Sequence, residues 1–360
     1  MHARRSESVD KSRRTDHPED TVDENPVTTR RYVLAARPDT LTGPIGDNVL
    51  RYEESAPLTL PKPGEVVVRV QRISVDPATR GWMNDTPSCI APAPLGEVIR
   101  AIGAGTVTVS RHPDFTEGDR VVGMLGWQDS AVVAGNTLRK VPYGVPINTS
   151  LHVLGIPGQT AFIGMNYIGR PWPGDTVVVT AAAGAVGSAA VQLAVLRGAR
   201  VIGVAGGAYK CDWVRALGAD ECIDHKNEDV EEAASRLCPD GIHIIFDNVG
   251  GPILDVLLPR LAVNACVVLC GAISCHEDTR GCAPLHNWKY LLLNRAEARG
   301  FIYTDYADRF SEIEAALLVL YRAGELKYHE TVAQGLTAAP EALKLLLTGD
   351  NVGKLLVSID

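Results

Sequence analysis

Thr176-Val-Val-Val-Thr-Ala-Ala-Ala-Gly-Ala-Val-Gly-Ser-Ala-Ala-Val-Gln-Leu-Ala-Val-Leu196 is the stretch whose reading decides the fold. The β-branched run Val177-Val178-Val179 suits a strand buried on both faces, and tiny residues follow it. An Ala/Leu/Val helix then runs to Arg197-Gly198. Strand, tight turn and helix open a dinucleotide-binding βαβ unit. The turn reads Ala181-x-x-Gly184-x-x-Gly187, with alanine at the first glycine position. Small residues let a pyrophosphate approach the backbone, and free N–H groups at the helix start meet its charge.

A glycine pair alone would also fit a turn that binds nothing. The second strand, Arg200-Val-Ile-Gly-Val-Ala205, follows at the spacing a βαβ unit requires. A membrane span is excluded by Gly184, Gly187, Ser188 and Gln192 in mid-stretch. An NAD-preferring site places Asp or Glu at the end of the second strand. Here Ala205-Gly206-Gly207 stand there, with Lys210 close behind. Loss of a repelling carboxylate beside a cation predicts NADP(H). The competing reading of Lys210 is a solvated helix residue.

Outward from this unit, 360 residues predict two domains. A net charge of −8 argues against nucleic acid or an anionic membrane as partner. The eight cysteines contain no C-x-x-C pair, which predicts a reduced cytosolic protein without a disulfide framework. Residues 1–29 mix acids and bases with almost nothing apolar, and predict a disordered tail. They carry no apolar segment of the secretory kind, and their acids speak against a mitochondrial leader.

From Arg31 to about Ser150, short strands such as Glu65–Val70 and Arg120–Met124 alternate with Gly/Pro turns, predicting a small barrel or sandwich. Residues 151–170 predict helical segments broken at Pro157-Gly158. Beyond Lys210 come strands at Glu221–Asp224, Ile242–Phe246 and Ala265–Cys270, with an acidic helix over 229–237. A helix over 310–323, a strand near 326–332, a helix over 340–347 and a strand over 354–359 close the chain. The last strand is expected to return to the first domain.

Seven motifs in order resemble the medium-chain dehydrogenase/reductase superfamily, and within it the zinc-independent NADPH-dependent alkenal/enone double-bond reductases, prostaglandin reductases included. They are Ser74-Val-Asp-Pro-Ala-Thr-Arg-Gly-Trp-Met83, Leu95-Gly-Glu-Val98, the turn 181–187, Ala205-Gly-Gly207 with Lys210, Phe246-Asp-Asn-Val-Gly-Gly251, Cys270-Gly-Ala-Ile-Ser274 and Asn351-Val-Gly-Lys-Leu-Leu356. The resemblance implies an α/β fold: a GroES-like β-barrel domain, here 30–152 with 321–360, plus a Rossmann doubly wound domain with a parallel sheet, here 153–320. It also implies NADPH in the cleft and a homodimer. Gly184, Ala185, Val186 and Gly187 would hold the pyrophosphate, and Lys210 and His225 the 2′-phosphate. Asn248, Gly271, Ala272, Ile273, Ser274 and Asn351 would line the rest, Asn351 near the nicotinamide. Turn chemistry is the alternative role for both asparagines, and the cofactor role is the one their place in the pattern favours.

No Cys/His set with metal-like spacing is present, so no zinc site is expected. Reduction of a C=C conjugated to a carbonyl then fits better than carbonyl reduction, since the enolate oxygen needs only hydrogen-bond donors. Where the family commonly has tyrosines, this chain has Ala78, Cys89, Ser130 and His276, and His225 beside the 2′-phosphate. Ala78, Arg80, Cys89 and Ser130 are the expected substrate-pocket residues, and the pocket is expected to be roomier or reshaped. His276 is the expected catalytic donor; a solvated loop residue is the alternative. A small-molecule enone reductase in the cytoplasm is the leading reading. A quinone reductase on the same scaffold, or a catalytically silent NADPH-binding regulatory protein, are the others.

Overall fold

The computed structural model describes residues 28–39, 45–46, 48–85, 90–276 and 283–359. In chain order, β1 (Thr28–Leu34) and β2 (Leu50–Pro57) pair as an antiparallel ribbon. Then come β3 (Glu65–Ser74), α1 (Pro77–Trp82), β4 (Ile102–Ser110), β5 (Arg120–Met124), β6 (Ser130–Ala134) and β7 (Arg139–Lys140). The helix α2 (Ile156–Ile163) leads into β8 (Thr176–Thr180), α3 (Ala185–Leu196), β9 (Arg200–Ala205), α4 (Ala208–Ala216), β10 (Glu221–Asp224), α5 (Val230–Leu237), β11 (Ile242–Asp247), α6 (Gly251–Leu257) and β12 (Leu261–Leu269). The rest is α7 (Lys289–Leu293), β13 (Glu297–Gly300), α8 (Phe310–Arg322), β14 (Glu330–Gln334), α9 (Ala339–Leu347) and β15 (Lys354–Ser358).

Six parallel strands form one sheet in the order β10-β9-β8-β11-β12-β13. This is the doubly wound Rossmann order, with its switch point between β8 and β11. Every residue of β8 is buried because both neighbours and both faces are covered. Val177 and Val179 join one core layer with Ala189, Ala190 and Leu193 of α3, while Val178 faces Ile202, Ile245 and Leu257 in the other. The alanines of α3 permit that close approach. Its buried Gln192 is satisfied, donating to Ser188 O and Lys327 O and accepting from Lys327 N–H.

The other large sheet runs β14-β15-β3-β4-β5-β7, with β6 on β3. Its strands are antiparallel except for the β14/β15 pair. Val66, Val68 and Val70 of β3 pack with Trp127, Leu343, Leu355 and Val357. The chain therefore returns through β15 to pair with β3. Lys354 on that strand is almost fully buried, and Nζ donates to Val75 O at 2.8 Å, Leu355 O at 3.1 Å and Asp76 Oδ1 at 3.0 Å. A buried ammonium is tolerable only with such partners.

Two expectations need correction. Pro157-Gly158 does not break a helix; Pro157 occupies the first turn of α2, where its missing N–H leaves no bond unmade. Five cysteines (Cys211, Cys222, Cys238, Cys266, Cys270) are free, yet Cys275 is disulfide-bonded, its partner lying outside the described residues. Lack of C-x-x-C speaks against redox and metal pairs, not against a pair closed by the fold. Of the expected tail, residues 1–27 lie outside the described residues, while Thr28 and Thr29 begin β1. Among the described residues no helix is long and apolar enough to cross a membrane.

Candidate active site

The site begins at the C-terminal ends of β8 and β9. Ala181 takes a left-handed backbone (φ +47°), so the residue at the first glycine position does adopt the conformation that favours glycine. Its carbonyl accepts from Gly184 N–H at 2.9 Å, which closes the turn. The helix α3 starts after Gly184 with no side chain capping it, which leaves its first N–H groups without a side-chain partner. Gly353 N–H donates to Ala183 O at 2.8 Å, and Gly353 bridges Gly184. The segment carrying Asn351 thus lies along the turn. Asn351 is buried and donates from Nδ2 to Gly353 O at 3.0 Å.

A second corner forms at β9, α4 and the end of β10. Gly207 N–H donates to Asp224 Oδ1 at 2.7 Å, and Asp224 also accepts from Lys226 N–H and Asn227 Nδ2. The Asn227 bond and these N–H groups hold the Asp224 carboxyl below its usual range. Although it is an acid near the ribose corner, its oxygens are committed to the turn. His225 and Lys226 lie over Gly206, where an added Cβ would sit 2.9 Å from His225 Nε2 and 3.0 Å from Lys226 Cε. Lys210 Nζ donates to Gly349 O. Burial, then the neighbouring Lys226, pushes the Lys210 ammonium below its ordinary pKa, with Asp350 opposing. Burial likewise lowers His225. The corner is a cluster of cationic and imidazole groups, with the Asp350 carboxylate beside them.

At the switch point, Thr180 Oγ1 donates to Asp247 Oδ1 at 2.7 Å. Asn248 N–H donates to Thr180 Oγ1 at 2.8 Å, and Asn248 Nδ2 to Thr180 O at 2.7 Å. Burial raises the Asp247 carboxyl, with the Thr180 bond and the Val249 and Gly250 N–H groups opposing. Asn248 therefore clamps two strand ends. Gly271, Ala272, Ile273 and Ser274 follow β12 alongside, and Ser274 Oγ donates to Val249 O at 2.5 Å.

The structure thus gathers Gly184, Ala185, Val186, Gly187, Lys210, His225 and Asn351 on neighbouring strand and helix ends, and Asn248 with 271–274 at the switch point. The substrate-pocket candidates diverge. Ala78 is exposed on α1, and Ser130 heads β6, where its N–H and carbonyl engage Thr29 Oγ1. Arg80 has no exposed surface and donates to Asn84 Oδ1 at 2.7 Å, one helical turn further on. Cys89 and the side chain of His276 lie outside what the structure describes. Lys226 and Asp350 were not singled out from sequence; the cation adjoining His225 was the available signal. Among the described residues, no group of three or more His, Cys, Asp or Glu side chains is placed to hold a metal ion.

Residues 30–141 match the family described as N-terminal domain of oxidoreductase, and 185–319 that described as zinc-binding dehydrogenase. Over 334 residues the chain is 40% identical to a putative NADP-dependent oxidoreductase, YfmJ, of Bacillus subtilis, spanning 91% of this chain and 96% of that protein. It is 38% identical to an NADPH-dependent curcumin reductase of Escherichia coli, over 92% and 96% of the two chains. It also superposes on CurA from Vibrio vulnificus in complex with NADPH, with a TM-score of 0.84 and 38% identity over 92% of this chain and 99% of that one. The chain belongs to the medium-chain dehydrogenase/reductase superfamily, in its branch of alkenal and enone reductases.

Proposed function

We propose that this protein reduces the C=C bond of an α,β-unsaturated ketone or aldehyde with NADPH as cofactor. The observation that carries the reading is the pairing of an uncapped α3 N-terminus with the Lys210/His225/Lys226 corner. These residues fit the cofactor: the helix start suits a pyrophosphate, and the cationic corner suits a 2′-phosphate. When bound, NADPH supplies hydride to the β-carbon of the enone. Ala185, Val186 and Gly187 hold the pyrophosphate through backbone N–H groups, and Gly184 keeps the approach open. Lys210 and His225 hold the 2′-phosphate. Asn248 and Gly271–Ser274 line the cleft, and Asn351 orients the nicotinamide end. His276 would donate a hydrogen bond to the enolate oxygen until the α-carbon takes a proton from solvent water. Ala78, Cys89 and Ser130, small where tyrosines are common, leave room for a bulky substrate, with Arg80 supporting the wall from behind.

We assign 30–152 and 321–360 to the barrel domain and 153–320 to the cofactor domain. A homodimer is supported by the edge strand β13, exposed at every residue, and by exposed Trp288, Leu292 and Leu293 beside it. The free, buried Cys211, Cys222, Cys238 and Cys266 support a cytoplasmic location, and the disulfide at Cys275 speaks against it.

NADPH consumption against a panel of enones, alkenals and quinones tests the reading. Turnover is expected on enones. Faster turnover on quinones would make the protein a quinone reductase, and binding without turnover would make it a regulatory module. If His276 is the donor, kcat falls as pH rises through the imidazole pKa, ordinarily about 6.5. His276→Ala then lowers kcat and flattens that profile, and His276→Tyr keeps activity without the dependence. Wild-type profiles in both variants would remove His276 from the mechanism.

Lys210→Ala tests the phosphate corner. A charge-assisted contact contributes about 1.5–3 kcal/mol. NADPH should therefore bind roughly tenfold or more weaker, with NADH unaffected. Equal losses for both cofactors, measured by fluorescence titration, would show that Lys210 does not read the phosphate.

A further inference from the structure

The 2′-phosphate corner is already in contact with the segment that leads to Asn351. Lys210 Nζ donates to Gly349 O. Lys226 Nζ lies 3.9 Å from Asp350 Oδ1, both side chains about half exposed, at 52% and 56%. The other carboxylate oxygen, Asp350 Oδ2, accepts from Thr348 Oγ1 at 2.8 Å, which fixes the carboxylate beside the lysines. Asp350 N–H donates to Leu345 O at the end of α9, so the backbone is held as well. A carboxylate is therefore stationed beside both lysines of the corner.

We propose that Asp350 is a specificity-determining residue that weakens the hold on the 2′-phosphate, acting as a counter-charge displaced each time the cofactor binds. This rests on Lys210 reading that phosphate. A half-exposed ion pair at this distance is weak and screened by salt, so a phosphate can displace it. The carboxylate does not leave the corner, because Thr348 and the Leu345 bond keep it nearby. It then stands close to a group of like charge and opposes it, chiefly for NADP(H), since NAD(H) brings no charge there. A reductase must release NADP+ after every turnover, and a phosphate held by two lysines without opposition would leave slowly. Asp350 offsets that grip. Its position one residue before Asn351 ties the same event to the segment carrying Asn351, which Gly353 anchors to Ala183.

The test is the affinity of full-length Asp350→Asn for NADPH, NADP+, NADH and adenosine 2′-monophosphate, by fluorescence or calorimetry. Asparagine can keep the Thr348 bond while losing the charge. NADPH, NADP+ and the 2′-monophosphate should bind about fivefold tighter, NADH should be unchanged, and the gain should shrink at high salt. Asp350→Glu should stay near wild type. Unchanged or weaker NADPH binding in Asp350→Asn, or an equal gain for NADH, overturns the proposal. The Lys210→Ala titration separates the two claims. If it leaves the NADPH/NADH ratio intact, the phosphate corner itself is misplaced; if it lowers the ratio while Asp350→Asn does nothing, only the role of Asp350 fails.

Discussion

Gly187→Ala is expected to destabilise the fold by roughly 2–3 kcal/mol and to abolish measurable NADPH binding. Helix propensity alone says the opposite, since alanine in a helix interior is favoured over glycine by about 1 kcal/mol. Geometry decides the sign. A Cβ on Gly187 would sit 2.2 Å from Ala181 O and 2.9 Å from both Ala181 C and Ala182 Cα. Those are backbone atoms, so no side-chain rotation relieves the contact. The turn has to move away from α3, toward the space a pyrophosphate needs. Thermal unfolding together with NADPH titration checks this. A variant as stable as wild type that still binds NADPH would mean the turn is softer than its packing implies.

A second large effect is expected from acid. His152 is fully buried before α2, edge-on to Tyr328 at 5.2 Å. Its Nε2 is 3.3 Å from Ala185 O. A carbonyl only accepts, so Nε2 carries the proton and Nδ1 is left with a lone pair and no partner. Protonation would place an N–H where nothing receives it. Burial, then the charge of Lys354, pushes the imidazole pKa down to about 3, against the opposing bond to Ala185. In the unfolded chain it titrates near about 6.5. The folded value is the lower one, so stability is intact above about 6.5 and is lost as pH falls toward about 3. Between about pH 7 and pH 5 the loss from this residue is about 2 kcal/mol. Urea unfolding at both pH values should show a clearly smaller acid loss in His152→Gln than in wild type. Equal losses would mean His152 is not the sensitive group.

The βαβ start was legible because its information is local. A valine run, a small-residue turn and an alanine helix over 176–196 each restrict the chain without distant help. The absence of an acid at 205–207 was legible for the same reason, and so was β5, which spans the expected residues. What escaped is what the fold assembles. Asp350 meets Lys226 from far along the chain, and Lys354 meets Asp76 across 278 positions. His152 gives no local hint that it will lie under α3 beside Tyr328. Pro157 was misread because proline both ends and begins helices, and only the backbone before it tells which. The bond from the Asn248 amide to Thr180 O, 68 positions away, was equally out of reach of a local reading.

The buried ammonium of Lys354 also sets an order of assembly during synthesis. The valines of β3 and the Val75 and Asp76 oxygens emerge from the ribosome early, but their partner strand and its lysine come about 280 residues later. Until residues 351–358 are made, a nascent chain can already contain the glycine turn and the lysine corner while Asn351 and β15 do not yet exist. The lysine corner is thus made before Asn351 and before Gly353, which braces the glycine turn through Ala183 O. A chain stalled in between would leave the Arg72–Ser74 end of β3 without its β15 partner, open to the wrong strand.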